Sequence, residues 1–597
     1  MTVSDFIFDF LTGKGVDTIF MVSGGQAMYL NDAVCRNNKL QAVCNHHEQG
    51  AGMAAEAYGR ITGKIGVALV TAGPGAINVT NGLVGGWTDS SPMMIISGQS
   101  ALSCVKYQEQ SGIRQYGIQG IFIKPLVESA TKYFITVDDP GEILYYLQKA
   151  YFLATSGRPG PVWLDVPLDI QAMQVPQSKL HEFTPPFSGL NLKVFRSNVA
   201  NILDLLHNAK RPVFLVGQGV RIAKAVDVFS EITEKLRIPV LTSRLGIDIM
   251  ASDNELYVGR PGNYGERAAN FAIQNSDLII SVGCRLASAL IGHNPKAFGK
   301  NAKKVVVDID IKELEKPGID IDLKINCDAK AFLEELYKQS QKISIPKWDE
   351  WISLCNTWKN KYSVVLESYK DEKPVNSYYF TNKLSELASK DDMILVDTGT
   401  CFHVACQTWK IKKDQRFLTT GGISSMGYWA AGIGACLAND SKRTIVITGD
   451  GSLQMNLQEL ATIKHNKLPL KIFIFNNNGY LLIRHTQKNF MDGRLFAEGP
   501  ETGVWCPDSL NIANAYGIKG IRINSVEEVE DKIKEALAFD GPVICDVMTP
   551  EWQLIIPRVS SDKMPDGKLV SRPYEDMYPY LDREELQNNM VANLIQE

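Results

Sequence analysis

No stretch of the 597 residues reaches the roughly 18 consecutive apolar positions that a membrane helix needs, so the sequence offers no membrane span. The amino terminus, Met1-Thr2-Val3-Ser4-Asp5-Phe6, lacks the basic and long apolar regions of a secretory signal. Basic charge is not in excess either: 62 Lys and Arg face 66 Asp and Glu, a net charge of −4, and no basic field invites nucleic acid or an anionic membrane. The eleven cysteines are odd in number and contain no Cys-x-x-Cys pair, which argues against a zinc cage or a disulfide framework and for a reducing, cytoplasmic setting. Short-period repeats and low-complexity tracts are also missing. What remains is a chain 45% hydrophobic, long enough for about three to six domains and able to bury several cores without covalent staples.

The apolar pattern is a series of short runs: Val67–Thr71, Met93–Ser97, Val162–Val166, Val213–Val216, Leu278–Val282, Val305–Ile309, Ile394–Val396, Thr444–Thr448 and Lys471–Phe475. They are near-continuous Val, Ile, Leu and Phe, as strands buried on both faces of a parallel sheet are, and segments of helical length separate them. The pattern predicts an α/β protein. Pro-containing polar stretches at Gln174–Lys193 and Lys342–Asn376 read as linkers, the second with a charged helical part. They divide the chain into domains over 1–175, 190–342 and 370–550, followed by a charged, Pro-containing tail over 551–597 that is expected to wrap the surface.

One segment carries most of the chemistry. The run Thr444–Thr448 leads into Gly449-Asp450-Gly451-Ser452 and a helical pattern, and Lys471–Phe475 leads into Asn476-Asn477-Asn478-Gly479. An acid on a glycine turn at the carboxyl end of a parallel strand stands where open α/β sheets bind ligands. Glycines let the backbone approach a phosphate, and free N–H groups at a helix start receive it. Asp450, the amide oxygen of Asn477 and the carbonyl of Gly479 are hard oxygen donors. With two diphosphate oxygens and one water they would make an octahedral site that suits Mg²⁺. Taken alone, Gly-Asp-Gly is as readily a plain turn; Asn477, twenty-seven residues on at the next strand end, makes that reading poor.

Further segments join this one: Asn45-His46-His47-Glu48-Gln49-Gly50-Ala51-Gly52, Ala72-Gly73-Pro74-Gly75-Ala76, Ser97-Gly98-Gln99, Gly157-Arg158-Pro159-Gly160-Pro161-Val162 and Gly421-Gly422-Ile423-Ser424-Ser425-Met426-Gly427. On these, and on the Asp450–Asn477 spacing, the chain resembles the thiamine-diphosphate enzymes and, over almost its whole length, the acetolactate synthase catalytic-subunit family. The resemblance implies three doubly wound parallel-sheet domains: pyrimidine-binding, central and diphosphate-binding. It implies thiamine diphosphate and Mg²⁺ as cofactors, and a homodimer or homotetramer with the cofactor between the N-terminal domain of one subunit and the third domain of another. Glu48 matches the glutamate at the pyrimidine ring, and Met426 the apolar residue that props the cofactor in its bent shape. Gln119 matches a glutamine facing the reacting centre. Gly24, Gly25, Pro74 and Asn78 fall on the pyrimidine side. Gly399, Thr400, Cys401, Gly451 and Ser452 are expected to meet the diphosphate through backbone and hydroxyl groups, and Ser424, Gly449, Tyr480 and Leu481 are further cofactor-binding candidates of the third domain. Gln99 is a weaker candidate. His46 and His47 are not expected to bind metal.

The sequence departs from the family in places that bear on the substrate. Thr486 stands where the family's substrate-selecting Trp falls, and Arg484 and His485 beside it offer charge and donors to a large polar or phosphorylated acceptor. Gln115-Tyr116-Gly117-Ile118-Gln119-Gly120 and the tail Pro573-Tyr574-Glu575-Asp576-Met577-Tyr578-Pro579 also differ, the tail being closer to relatives in branched-sugar pathways. Where flavin-binding members carry their flavin segments, this chain reads Gly259-Arg260-Pro261-Gly262 and Arg285-Leu286-Ala287-Ser288-Ala289, while Gly217-Gln218-Gly219 and Asp308-Ile309-Asp310 remain, so FAD is left open. The implied activity is decarboxylation of a 2-oxo acid, pyruvate first among candidates, with carboligation to a carbonyl acceptor. A second pyruvate and a keto-sugar nucleotide stay as alternative acceptors, with simple decarboxylation a third course. A relative that has lost catalysis is disfavoured by the presence of Glu48, Asp450 and Asn477 together, and a central nucleotide-binding module serving another activity has no clear adenine or CoA fingerprint to support it. Whether a regulatory subunit binds is open.

Overall fold

The computed structural model describes residues 1–186, 189 and 191–591. Part of the first linker and the end of the tail lie outside them. Three six-stranded sheets, each parallel throughout, form along the chain. The first holds β1 (Thr18–Met21), β2 (Gln41–Cys44), β3 (Gly66–Val70), β4 (Met93–Gln99), β5 (Tyr133–Thr136) and β6 (Pro161–Pro167), in the order β2-β1-β3-β4-β6-β5. The second holds β7 (Pro212–Val216), β8 (Val240–Thr242), β9 (Tyr257–Gly259), β10 (Leu278–Val282), β11 (Lys303–Asp308) and β12 (Leu323–Asn326), in the order β12-β11-β10-β7-β8-β9. The third holds β13 (Met393–Val396), β14 (Arg416–Thr419), β15 (Thr444–Gly449), β16 (Leu470–Asn476), β17 (Lys519–Ile523) and β18 (Val543–Met548), in the order β14-β13-β15-β16-β18-β17. The predicted runs are these central strands. Leu278–Val282 is β10 itself, and its residues are 2% exposed or less because helices cover both faces.

The first and third sheets do not stand apart. One apolar core runs through both, from Phe20, Ala54 and Trp163 to Trp429, Ile433 and Ile472. Its seam is the helix Glu48–Thr62, rich in Gly and Ala, against the helix Gly432–Ala438. A Cβ on Gly434 would collide with the carbonyl of Ala54, so the backbones touch there because neither has a side chain in the way. Polar ties reinforce the seam. Tyr428 donates to Glu56 at 2.6 Å, and the buried Arg60 donates to the carbonyl of Thr419 at 3.0 Å.

The tail departs from the expectation of a surface wrap. Tyr574, Met577 and Met590 are at most 5% exposed, and Tyr574 and Met590 belong to the core of the middle sheet. Asn270 donates to the carbonyl of Tyr574, Arg267 to that of Pro579, and the Tyr574 hydroxyl to that of Leu290. Alternating aromatic and charged residues read as surface, yet Tyr574 and Met577 are buried and the buried Asp576 is paired with Arg583. The charged part of the second linker forms the helix Asp349–Lys361, which packs Trp351 and Trp358 on the same core.

Candidate functional site

The carboxyl ends of β13, β15 and β16 bring the third domain's expected residues together. Asp450, 3% exposed, accepts from the N–H of Gly479 and of Gly451, each at 2.9 Å. Burial pushes its carboxyl up to about 6. Beside it the Oδ1 of Asn477 is buried and has no partner within the protein. An orphaned amide oxygen next to a desolvated acid fits a hard divalent cation with the Gly479 carbonyl as a third donor. Among the described residues no group of three His, Cys, Asp or Glu could hold a metal, so a cation here must rely on amide and backbone oxygens. Gly451 has to be glycine, because a Cβ there would enter the Tyr480 ring.

Several expected cofactor contacts are narrower than the sequence suggested. The Ser452 hydroxyl donates to Asp397 at 2.6 Å and accepts from the N–H of Gly427 at 2.7 Å, so only its backbone faces outward. The Cys401 thiol donates to the carbonyls of Asp397 and Thr398; it is a buried packing group. Thr400 stands at the start of the helix Thr400–Thr408 behind Gly399, whose φ is +92°. Leu481 is buried, Met426 half-buried, and Ser424 exposed with φ +49°.

Asp397, absent from the sequence reading, organises this end. Fully buried and pushed up to about 6, it accepts from Ser452 and Thr448 hydroxyls and from the N–H groups of Thr398 and Tyr428. It thereby ties the loop before Tyr428, which carries Met426, to the Gly449–Ser452 turn. Its signal, Val-Asp-Thr-Gly at a strand end, is present in the sequence, but its partners other than Thr398 are 31 to 55 residues away.

In the N-terminal domain Glu48, 8% exposed, opens its helix behind His47, whose Nδ1 accepts from the N–H of Gln49. Its Oε2 accepts from Asn78 Nδ2 at 3.0 Å, and a Cβ on Gly75 would lie 3.3 Å from its Oε1. Pro74 is exposed at the first position of the short helix Pro74–Asn78. Gly24 backs onto Thr71, where a side chain would collide, and Gly25 has open space around it. Gln119 is exposed with φ +56°, its carbonyl pressed against Gly73. A non-glycine residue held left-handed beside a glycine turn is the kind of strain that functional sites retain. Glu48, Asn78, Gly73–Gly75 and Gln119 thus share one neighbourhood. Gln99 does not act there: it is 2% exposed and bonds to Asp165, the Ile121 carbonyl and the Ser100 N–H. A second unforeseen carboxylate, Glu459 of the third domain, accepts from Asn45 and from the N–H groups of His46 and His47. It fixes the backbone leading into Glu48.

The departures near Thr486 resolve differently from expectation. In the helix Leu481–Phe490, Arg484 turns inward to Glu498 and to backbone carbonyls. Burial lowers His485 to about 4, and its neutral ring stacks on Trp552. Neither offers charge to an acceptor. Thr486 is exposed, its hydroxyl returned to the Leu482 carbonyl.

A cavity of about 710 Å³ lies at the middle domain's strand-order reversal, between β10 and β7. Gly219, Gly283, Asp308 and Arg244 line it. The Gly217–Gly219 and Gly283 turns approach so closely that a Cβ on Gly219 would lie 2.6 Å from Gly283 Cα. Arg244 Nη2 is buried without a partner, the guanidinium lying over the Phe402 ring.

A glycine-bound acid and an orphan amide oxygen at the ends of one domain's strands, with a buried glutamate at the other's, are the donor set of a cofactor-dependent enzyme. The N-terminal TPP-binding, central and C-terminal TPP-binding domains of thiamine pyrophosphate enzymes match residues 1–132, 199–336 and 397–547. The chain is 30% identical to the acetolactate synthase large subunit of Lactococcus lactis over 93% of this chain and 94% of that one. It is 31% identical to the mitochondrial acetolactate synthase catalytic subunit of Saccharomyces cerevisiae over 92% and 81%. Against the isozyme 2 large subunit of Escherichia coli the figures are 30%, 94% and 99%. The chain belongs to the acetolactate synthase family of thiamine-diphosphate enzymes, whose chemistry is decarboxylation coupled to carboligation.

Proposed function

We propose that this enzyme takes a two-carbon unit from pyruvate and joins it to the carbonyl of a second 2-oxo acid, as its relatives' names imply, with Mg²⁺ and thiamine diphosphate bound between two copies of the chain. The observation that supports this most is the orphan Asn477 oxygen beside Asp450. Bound thiamine diphosphate supplies the electron sink for decarboxylation. Asp450, Asn477 and the Gly479 carbonyl would hold the cation, and the backbone of Gly449–Ser452 and Gly399–Thr400 the diphosphate. Glu48 would hold a proton at the pyrimidine ring, in a pocket dry enough to keep the pair together. Met426 would orient the cofactor, and Gln119 would donate to substrate oxygen. An apolar rim near the Glu48 end, with Ile118 78% and Tyr116 59% exposed, supports a partner copy there. The three relatives are named large or catalytic subunits, and by that likeness this chain is read as a catalytic subunit. Eleven free cysteines support a reducing compartment such as the cytoplasm.

FAD belongs to the same reading. The cavity's paired glycine turns, Asp308 at a strand end and the unpartnered Arg244 fit an anionic dinucleotide, and flavin absorbance of the purified protein is the check. A second acceptor, a keto-sugar nucleotide, is favoured by one observation: the small, exposed Thr486 leaves room where the family carries Trp. Product analysis separates the two. Acetolactate formed from pyruvate, thiamine diphosphate and Mg²⁺ alone supports the first. CO₂ release that accelerates only with a keto-sugar nucleotide supports the second. No CO₂ under either condition overturns both.

A further inference from the structure

The run Asn476–Gly479 turns through a left-handed backbone that its Asn and Gly residues tolerate but do not enforce. Asn478 has φ +59° and Gly479 φ +128°, two successive residues in the left-handed half of the map. Because Asn and Gly are also free to leave this conformation, contacts from outside the turn must select it. The carbonyls of Asn477 and Asn478 turn toward the helix that follows, away from the cation donors. There they meet one side chain. Arg484, a turn into that helix, points back toward its start as helical side chains do. A guanidinium has five N–H donors, and here all five are spent. Nη1 donates to the carbonyls of Asn477 at 2.7 Å and Glu551 at 3.2 Å. Nη2 donates to the carbonyls of Asn478 and Glu498. Nε donates to the Glu498 carboxylate. The Glu498 carbonyl also accepts from the N–H of Tyr480 at 2.7 Å, closing the loop.

The charges match this arrangement. The Arg484 and Glu498 side chains are 5% and 7% exposed, and Arg484 lies within the field of Asp450. An unpaired guanidinium there would repel a divalent cation; Glu498 cancels it.

We propose that Arg484, neutralised by Glu498, is the positioning residue of the cation loop: it holds the Asn477 and Asn478 carbonyls so that the Asn477 amide oxygen and the Gly479 backbone face Asp450. The proposal rests on the reading of Asp450 and Asn477 as cation donors. Lysine keeps the charge but presents three donors from a point and cannot span these carbonyls.

The test is a Mn²⁺ titration of the full-length protein with saturating thiamine diphosphate, free Mn²⁺ being read by electron paramagnetic resonance. The proteins compared are wild type, R484K, R484M and E498Q, each checked by circular dichroism. The expected result is a fall in Mn²⁺ affinity of roughly 10–100-fold for R484K and R484M, the scale on which outer partners of metal ligands act. In E498Q the guanidinium keeps its carbonyls, so a smaller, salt-sensitive fall is expected. In R484K turnover, the loss should appear in the cation concentration for half-activity and not in kcat. Folded R484K with Mn²⁺ affinity within about twofold of wild type would overturn the proposal, and does not need R484M to fold. Wild type that binds no Mn²⁺ overturns the donor reading itself, which D450N then shows by being no weaker.

Discussion

The N-terminal and third domains run the same strand order, β2-β1-β3-β4-β6-β5 and β14-β13-β15-β16-β18-β17, and carry different chemistry at the same edge. In the third domain the turn after its third strand holds Asp450, and the turn after its fourth holds Asn477. In the N-terminal domain the turn after the third strand is Gly73-Pro74, and the fourth ends in Gly98-Gln99, closed by its own hydrogen bonds. That domain's acid, Glu48, comes instead after the edge strand β2. One frame therefore yields a hard, desolvated oxygen site when acid and amide sit at the central strands. It yields a pocket with a single side-placed acid when glycine and proline sit there. The loops, not the sheet, separate the two roles.

The largest effect should come from the N-terminal acid. Glu48→Gln keeps the shape and the Asn78 contact but removes the ionisable proton. Turnover measured as CO₂ release from pyruvate should fall about 10²–10⁴-fold, the usual share of acid–base groups, with circular dichroism unchanged. Activity near wild type would leave the two domains without distinct roles. Asp450→Asn strikes the other side. It should weaken the cation, and thiamine diphosphate with it, by more than the roughly 100-fold that outer partners carry, while Glu48→Gln leaves cation binding alone. Equal cation affinity in both variants would erase the contrast.

How far the sequence carried this contrast depends on the range of each signal. Glu48, Asp450 and Asn477 are legible because each sits on or beside a glycine turn at the end of a strand or the start of a helix. Buried strands such as β10 are legible as apolar runs. Edge strands are not: β2 exposes three of its four residues and shows no run. Asp397, Glu459 and Glu498 look like ordinary acids, since only the fold supplies their partners, up to 414 residues away for Glu459. Arg484 and His485 look open to substrate in the sequence because spacing alone does not say which face of a short helix is buried.

A pH profile sharpens the comparison further. In the first and third sheets the sixth strand in sequence carries a buried Asp beside a central strand. Asp546 on β18 receives Nε and Nη2 of Arg522 at 3.0 and 2.8 Å. Asp165 on β6 meets the neutral donors Ser97, Gln99 and Thr136, and burial pushes it up to about 7 from 3.8. The raised value favours the protonated fold. Its contribution is full below about pH 4 and drains away as pH rises to about 7, on the order of 4 kcal/mol at most. The unfolding midpoint of wild type should therefore fall relative to Asp165→Asn between pH 4 and 8. A constant gap would mean that Asp165 ionises as freely as an exposed acid.

The smallest expected effect bears on whether the two domains work as one body. Glu459 reaches from the third domain to the backbone just before Glu48, accepting from Asn45 Nδ2 at 2.8 Å and from the N–H groups of His46 and His47 at 3.1 and 3.0 Å. In Glu459→Gln the carbonyl oxygen can keep the two N–H groups, but the new amide meets the Asn45 amide donor to donor. One charged hydrogen bond lost in a buried setting is worth about 1.5–3 kcal/mol, read as a lower unfolding midpoint. If the carboxylate only braces the third domain, turnover of the folded variant should stay at wild type. If it sets the Glu48 backbone, kcat should fall as well, because a misplacement of about 1 Å at a reacting group is costly in rate. The outcome decides whether the N-terminal acid is placed by its own sheet or by the domain that holds the cation.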